Sequence, residues 1–320
     1  MKYLILVLSS IFVFSCQEPS IRDAVNSMLH SDRQLPRLSS SRALSETEYE
    51  FIFSEDITVR SAICNERSFS YEMRSSTRIL VTFSEKLDLA EAVEFYLAVE
   101  DRSGNISSFI LSLTGKNSRI PKLMINEISP NGSDTQPDRI EIIALTDGNT
   151  EGIYAADGTK GNEQFGLVLP SMDMKQGDMI LLYWNTNCRE ESYINSSQKR
   201  TYRLRAGSST GLSGTNGVFV LYDMKAGDGK ILDAIIYSDF KSTAHSGYGT
   251  SRVEASANEI VNSFEWIGQA VDSSHSTSTR TISRRMGLRD SNTADDFYTT
   301  VTRGQTFGEA NISQEYVVPE

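Results

Sequence analysis

Residues 122–145 constrain the fold most, because they combine two apolar β-type segments with a polar loop. The segments span residues 123–128 and 140–145, and the loop between them contains Pro130, Asn131, Gly132 and Pro137. In the second segment Ile140 and Ile142 would share one face of a strand, while Ile143 would lie on the other. Apolar side chains on both faces are typical of strands covered on both sides. The stretch therefore predicts a buried strand–loop–strand unit in an all-β domain.

Each of these two segments carries one acidic residue among apolar neighbours, Glu127 and Glu141. Two carboxylates across a sugar cleft are the machinery of glycoside hydrolysis. In a strand pair, the same residues more often accept hydrogen bonds from neighbouring backbone or from an arginine. We favour that structural role and take Arg139 and Arg285 as the candidate partners.

The stretch resembles the opening of the lamin tail domain family, which has an Ig-like β-sandwich. The matching residues are Ile125, Asn126, Glu127 and Ile128, followed by Asp138, Ile140, Glu141 and Ile142. A second match near the C-terminus comprises Arg285, Asp290, Asn292, Asp296, Phe297 and the run from Thr306 to Asn311. Phe297 and Phe307 stand where the family usually has Trp and Pro. The resemblance implies a lamin-tail-like sandwich with long loop insertions over residues 122–312, followed by a tail at 313–320.

Residues 49–121 form a second β-rich region, with strands predicted at 49–53, 57–63, 68–73, 78–83, 95–99 and 107–113. Turn signals every 8–12 residues or so are typical of a sandwich. Residues 79–88, ILVTFSEKLD, resemble a bacterial Ig-like module of surface-layer and envelope proteins. The predicted fold is thus all-β, with two Ig-like sandwiches joined near Pro121.

The first fifteen residues have the pattern of a signal peptide. Lys2 precedes an apolar run that is too short for a lasting membrane span, and Ser15 and Cys16 follow it. This resembles a bacterial lipoprotein signal, which implies cleavage before Cys16 and lipidation of that residue. The open alternative is an ordinary secretory signal with an incidental cysteine. Residues 16–48 are then a polar tether that carries the folded part off the membrane.

The predicted location is the cell envelope, with a lipid anchor on Cys16 as the contact with the membrane. Gln17 suits the outer membrane under a sorting rule known from some bacteria, and the sequence leaves the face of the membrane open. The net charge is −11, and loss of Lys2 with the signal peptide makes it −12. Phosphate binding needs clustered Lys and Arg, so general nucleic-acid binding is disfavoured.

Motifs for catalysis or metal binding are weak. Ser209 lies in a G-x-S-x-G match, but glycines follow it where a nucleophile elbow needs a helix. The chain has His30, His245 and His275 without zinc-binding spacing. Residues 147–158 match part of a calcium loop but lack its closing glutamate. We therefore predict no catalytic residue, cofactor or metal site, and no enzyme.

Two further clusters have structural interpretations. Arg284, Arg285 and Arg289 are expected to pair at the surface with Asp295 and Asp296. An interdomain disulfide between Cys64 and Cys188 is compatible with an envelope location. The default for Cys64 is a small buried strand residue.

Residues 185–217 and 238–258 are long polar stretches, predicted as the recognition loops. They hold aromatic and arginine residues of the types enriched at interfaces: Tyr193, Tyr202, Arg203, Arg205, Tyr248 and Arg252. The predicted function is non-catalytic binding, scaffolding or adhesion at the envelope, with a protein or glycan as ligand. The alternatives are a nuclease, phosphatase or glycan-active hydrolase with an unrecognised site, which would need Ser209 or His245 to be positioned and activated, and a structural spacer without a ligand.

Overall fold

The computed structural model describes residues 34–89, 92–287 and 290–319, and over these ranges the chain is all-β. This confirms the predicted fold class. The only α-helix in the described ranges, α1 (Ser251–Asn262), has 12 residues, and no described helix is long and apolar enough to cross a membrane. The predicted signal peptide, Cys16 and His30 lie outside the described residues.

The N-terminal region contains seven strands. They are β1 (Leu38–Ala43), β2 (Glu48–Phe53), β3 (Ile57–Ile63), β4 (Phe69–Ser75), β5 (Arg78–Phe83), β6 (Val93–Asp101) and β7 (Ile106–Leu113). Strands β1-β2-β5-β4 form one antiparallel sheet and β3-β6-β7 form another. All six strands predicted here are present, with ends that differ by a few residues.

Side chains from both N-terminal sheets share one apolar core. In β6, alternate residues are buried, because a strand directs successive side chains to opposite faces. Phe95 of β6 stacks on Phe51 of β2 with ring centroids 5.7 Å apart, and Phe53 meets Phe109 edge-on at 5.8 Å. Strand β1 lies inside the stretch predicted as a polar tether, so residues 38–43 belong to a sheet and that part of the prediction was wrong.

The C-terminal region contains fourteen strands. They are β8 (Leu123–Ser129), β9 (Arg139–Ala144), β10 (Gly148–Asn149), β11 (Tyr154–Asp157), β12 (Phe165–Val168), β13 (Asp173–Met174), β14 (Met179–Tyr183), β15 (Glu191–Ile194), β16 (Arg200–Arg205), β17 (Asn216–Tyr222), β18 (Ile231–Ser238), β19 (Val271–Asp272), β20 (Ile282–Arg284) and β21 (Phe297–Thr299).

Two large sheets form this region. The seven-stranded sheet has the order β15-β16-β14-β9-β8-β20-β21, and the five-stranded sheet has the order β12-β11-β17-β18-β19. Their side chains meet in the larger apolar core of the protein. Strands β14 and β17 lie inside their sheets and are almost wholly buried, as the continuous apolar runs at residues 179–184 and 218–222 predict.

The predicted recognition loops contain regular structure. Residues 185–217 include β15, β16 and the start of β17, and residues 238–258 include the first part of α1. Only alternate residues of β15 are even partly buried, so its sequence lacks an apolar run. The helix buries Val253, Ala257 and Ile260 at helical spacing, and Thr250 caps its N-terminus by accepting a hydrogen bond from the Val253 amide. That helical pattern was readable from the sequence.

The two regions contact each other through the turn between β17 and β18. Met224 of this turn is buried in the N-terminal core. The Asp228 carboxylate accepts hydrogen bonds from the Ser40 hydroxyl at 2.7 Å and the Ser41 amide at 3.1 Å. The turn therefore ties the C-terminal region to strand β1.

Candidate ligand-binding cleft

A surface cleft of about 490 Å³ opens beside the end of β18. This volume lies within the range of roughly 300–1,000 Å³ that is usual for small-molecule sites. One wall is the segment between β18 and α1, and the other is the chain just before β19. The lining residues are Ser238, Phe240, Ser242, Thr243, Ser246, Gly247, Tyr248, Gln269 and Ala270.

The wall between β18 and α1 has an unusual backbone conformation. His245, Ser246 and Gly247 have positive φ angles of 51°, 56° and 95° in succession. Non-glycine residues rarely adopt this conformation, and such residues concentrate at functional sites. The Ser238 hydroxyl holds the turn by donating to the Gly247 carbonyl at 2.7 Å. The strained turn thus has a defined position against β18.

The cleft is polar but uncharged, because none of its described lining residues has a charged side chain. Phe240 presents an apolar ring that is 52% exposed, unusual for a phenylalanine. Among the described residues, the side chains of Thr243, Tyr248 and Gln269 have no hydrogen-bond partner. Burial raises the pKa of the Tyr248 hydroxyl, with a smaller contribution from the nearby Glu254 carboxylate. That hydroxyl therefore stays a hydrogen-bond donor at neutral pH.

The same turn does not assemble a nucleophile and a base. The Ser246 hydroxyl donates to the Glu254 carboxylate at 2.6 Å, and His245 lies 3.4 Å from the other oxygen of that carboxylate. A Ser–His mechanism needs the hydroxyl bonded to the imidazole. Ser209 lies in an exposed loop and is not hydrogen-bonded to His245 in the described structure.

The structure separates the six predicted recognition residues into two groups. Tyr193 and Arg203 come together on β15 and β16, where the Arg203 guanidinium lies 5.6 Å from the Tyr193 ring and forms an ion pair with Glu191 at 2.8 Å. The Tyr202 hydroxyl donates a hydrogen bond to the Asp173 carbonyl. Arg205 is exposed at the end of β16. These four residues lie on strands and do not line the cleft.

The other two residues lie near the cleft. Tyr248 lines it, whereas Arg252 of α1 points its guanidinium at the polypeptide around β11. Arg252 donates to the Asp157 carbonyl at 3.2 Å and to the Gln164 side chain at 2.9 Å. Burial raises the pKa of Asp157 to about 6, and the Arg252 charge opposes that rise. The contacts of Arg252 therefore anchor the helix to the sheet.

Glu127 and Glu141 are completely buried and directly opposed on β8 and β9. Glu127 accepts hydrogen bonds from the Thr306 amide at 3.0 Å and from the Thr281 hydroxyl. Glu141 accepts from the Asn126 side chain at 2.6 Å and from the Gly308 amide. A sealed pair of this kind gives a sugar no access, as the structural interpretation predicted.

Of the two arginines predicted as partners of this pair, Arg139 acts on both carboxyls and Arg285 does not contact them. The positive charge of Arg139 lowers the pKa of both carboxyls, although burial outweighs it and both values rise. Arg285 is elsewhere: its guanidinium donates to the Asp295 carbonyl and pairs with Glu315. The donors that satisfy the carboxylates are hydroxyl, amide and backbone groups.

The predicted surface position was wrong for Arg284, because its side chain is only 1% exposed. It pairs with Asp233 of β18 at 3.1 Å and donates to the Ile125 carbonyl of β8 at 2.9 Å. Its guanidinium also lies 4.5 Å from the Phe297 ring and 3.8 Å from Asp296. Arg284 thus joins the two large sheets from inside, and Arg289 lies outside the described residues.

The remaining candidate sites have structural partners of their own. In the partial calcium loop, Asp147 pairs with Lys175 at 2.8 Å, and the Asn149 side chain bonds to Ser171 and Asp173. The described residues contain no group of three or more His, Cys, Asp or Glu residues placed to hold a metal. Cys64 and Cys188 are both free and partly exposed, so the interdomain disulfide is not formed.

Little in the sequence indicated the main cleft residues. Phe240 lies inside a predicted recognition stretch, but its exposure depends on the tertiary structure. Gln269 lies 29 positions further along, and only the parallel pairing of β18 with β19 brings it to the same site. The signal in the sequence that could have indicated the cleft was an isolated phenylalanine, Phe240, in a polar, Ser-rich stretch.

Comparison with known proteins places the cleft in a recognised domain. Residues 121–299, more than half of the chain, match the family model TP_1001_2nd, described as a protein second domain. An uncharacterized protein of Treponema pallidum (strain Nichols) is 24% identical over 166 residues, which is 49% of this chain and 42% of the relative. The chain thus spans about two fifths of that relative's length. No solved structure matches.

Proposed function

Because the chain belongs to this second-domain family, we propose that its second domain is a binding module and that the whole protein is a non-catalytic lipoprotein of the cell envelope. The lamin-tail-like and Ig-like resemblances support a sandwich scaffold for binding, and the lipoprotein-type signal before Cys16 supports an anchor. We place the binding site in the cleft beside β18.

The observation that carries the proposal is the exposed aromatic ring of Phe240 in a cleft with polar side chains that have no partner within the described part of the protein. An apolar surface next to a few convergent polar groups is the usual composition of a ligand site. Thr243, Tyr248 and Gln269 supply donors and acceptors that the protein itself does not use. The strained turn at His245 and Ser246 holds one wall in a conformation that folding alone does not favour.

A hydrolase is the competing function, and the geometry favours binding over it. The Ser246 hydroxyl and His245 both face the Glu254 carboxylate, so neither activates the other. The buried Glu127–Glu141 pair has no path to a substrate.

The test uses the mature chain from residue 16 with Cys16→Ser, which keeps it in aqueous solution. Panels of oligosaccharides and of peptides are screened for binding, and Phe240→Ala is compared with Phe264→Ala. Phe264 is 81% exposed and lies outside the cleft, so it is a matched control. Binding lost only in Phe240→Ala supports the proposal. Binding retained by both variants rejects the cleft, and a hydrolase activity abolished by His245→Ala overturns the non-catalytic function.

A further inference from the structure

The cleft continues past Phe240 into a second depression of about 200 Å³. Both depressions are bordered by Phe240, Gln269 and Ala270, so they meet at these residues. The second depression is also lined by Asp272, His275, Glu315 and Tyr316. The site therefore has two compartments with an exposed aromatic ring between them.

The second compartment has its own aromatic surface. The Tyr316 ring lies 5.4 Å from the His275 ring, and the Arg280 guanidinium lies over its face at 4.1 Å. These contacts hold the Tyr316 ring in place, so ligand binding loses little conformational entropy in ordering it. Phe240 and Tyr316 thus place one ring at each compartment, with Arg280 covering one face of the Tyr316 ring.

The charges around the site select no acidic ligand, because two guanidinium groups, those of Arg280 and Arg285, are matched by two carboxylates. The first compartment has no charged lining side chain among the described residues, and the second has two carboxylates. The Asp272 carboxylate accepts a hydrogen bond from the Ser274 amide at 2.9 Å, and Glu315 pairs with Arg285. Because both carboxylates have partners within the protein, the site does not require a cationic ligand either.

One mode of peptide binding, the addition of a strand to an open sheet edge, is not available at β18. The strand at the edge of the cleft, β18, is paired with β17 on one side and with β19 on the other. The Ser238 carbonyl at its end already accepts a hydrogen bond from the Ser273 amide at 3.0 Å. At β18 the cleft therefore presents side-chain hydroxyls, an amide and rings, and the sheet ends at β19, a strand of only two residues that offers little edge for an added strand.

We infer that the site binds an uncharged oligosaccharide of at least two sugar units that crosses Phe240 from one compartment to the other. A sugar ring has an apolar C–H face that packs on an aromatic ring and a rim of hydroxyls that pair with side chains such as Thr243 and Gln269. The inference rests on the proposed function, since it names the ligand class of that cleft.

The experiment measures binding of the mature chain with Cys16→Ser by calorimetry. The probes are neutral one-, two- and four-unit sugars built from glucose, galactose, mannose or N-acetylglucosamine, and neutral octapeptides rich in Ser and Gln. At least one sugar series is expected to bind at least tenfold more tightly as the two-unit form than as the monomer. Phe240→Ala should weaken that binding at least tenfold, and Phe264→Ala should not change it.

A second variant separates the compartments. Tyr316 lies in the C-terminal segment, and Tyr316→Ala should reduce the affinity for the two-unit sugar to that of the monomer. Equal affinity for monomer and two-unit sugar, or no sugar binding at all, overturns the inference. Peptide binding that depends on Phe240 would leave the proposed function intact while rejecting the sugar. Binding of neither class would reject both.

Discussion

Glu127 and Glu141 face each other on adjacent strands, and neither has any exposed surface. Burial raises the pKa of both carboxyls, and for Glu141 the repulsion from Glu127 raises it further, to about 8. At neutral pH the pair therefore retains a proton, which avoids placing two negative charges side by side in the core. The chain around Gly308 supplies amide donors to both residues and closes the site.

The pH dependence of stability follows from this raised pKa. Between the ordinary value of 4.5 and about 8, the folded protein binds more protons at Glu141 than the unfolded chain does. The contribution of the pair to stability is therefore complete below the lower value and is lost as the pH rises. Its slope reaches up to about 1.4 kcal/mol per pH unit.

Glu141→Gln should remove most of that slope, because glutamine does not titrate. Chemical denaturation at several pH values from 5 to 8 measures it, with Glu85→Gln, an exposed carboxylate, as the control. If the unfolding free energies of Glu141→Gln and wild type fall in parallel with rising pH, the pair does not hold the proton.

Arg284→Met should destabilise the protein by roughly 3–5 kcal/mol, because Asp233 then remains buried without its cation. Burial already raises the pKa of Asp233 to about 7 in the presence of Arg284. The double variant with Asp233→Leu should recover part of the loss, since no uncompensated carboxylate remains at β18. Additive losses in the two single variants would show that the ion pair is not energetically coupled.

Ile180→Asp should cost several kcal/mol, because Ile180 is fully buried within β14 among apolar neighbours that offer no partner for a charge. The matched control is Ile110→Asp on β7, where the side chain is 71% exposed. Thermal unfolding compares the two, and a similar melting temperature for Ile180→Asp and wild type would contradict the position of this strand.

Cys16→Ala should move the protein from the detergent phase to the aqueous phase in detergent phase partitioning. The expectation comes from the short apolar run and the Ser15-Cys16 junction, since several acyl chains hold a protein firmly in a bilayer. Cys64→Ala serves as the control for loss of a thiol. Wild-type protein found in the aqueous phase would reject the anchor.

The sequence by itself determined the all-β class and the main strands, because burial on one or both faces leaves a local pattern. The strands predicted at 95–99 and 218–222 identified β6 and β17 without knowledge of their neighbours. Strands β15 and β16 were not predicted because they lie at one end of the seven-stranded sheet and Thr201 is their one fully buried residue. The sequence of helix α1 has apolar residues at helical spacing and a capping threonine, Thr250. Its otherwise polar composition obscured this pattern.

Only the tertiary structure decided which charged and aromatic residues are buried or exposed. Arg284 is internal because Asp233, 51 positions earlier, lies across the sheet interface from it. Glu141 is sealed by Gly308, which is 167 positions away, and Phe240 shares a cleft with Gln269 through the pairing of β18 with β19. A local sequence pattern reports the period of a strand or helix. The partner of a charge and the wall of a cleft come from distant segments, and their positions depend on how the sheets pack.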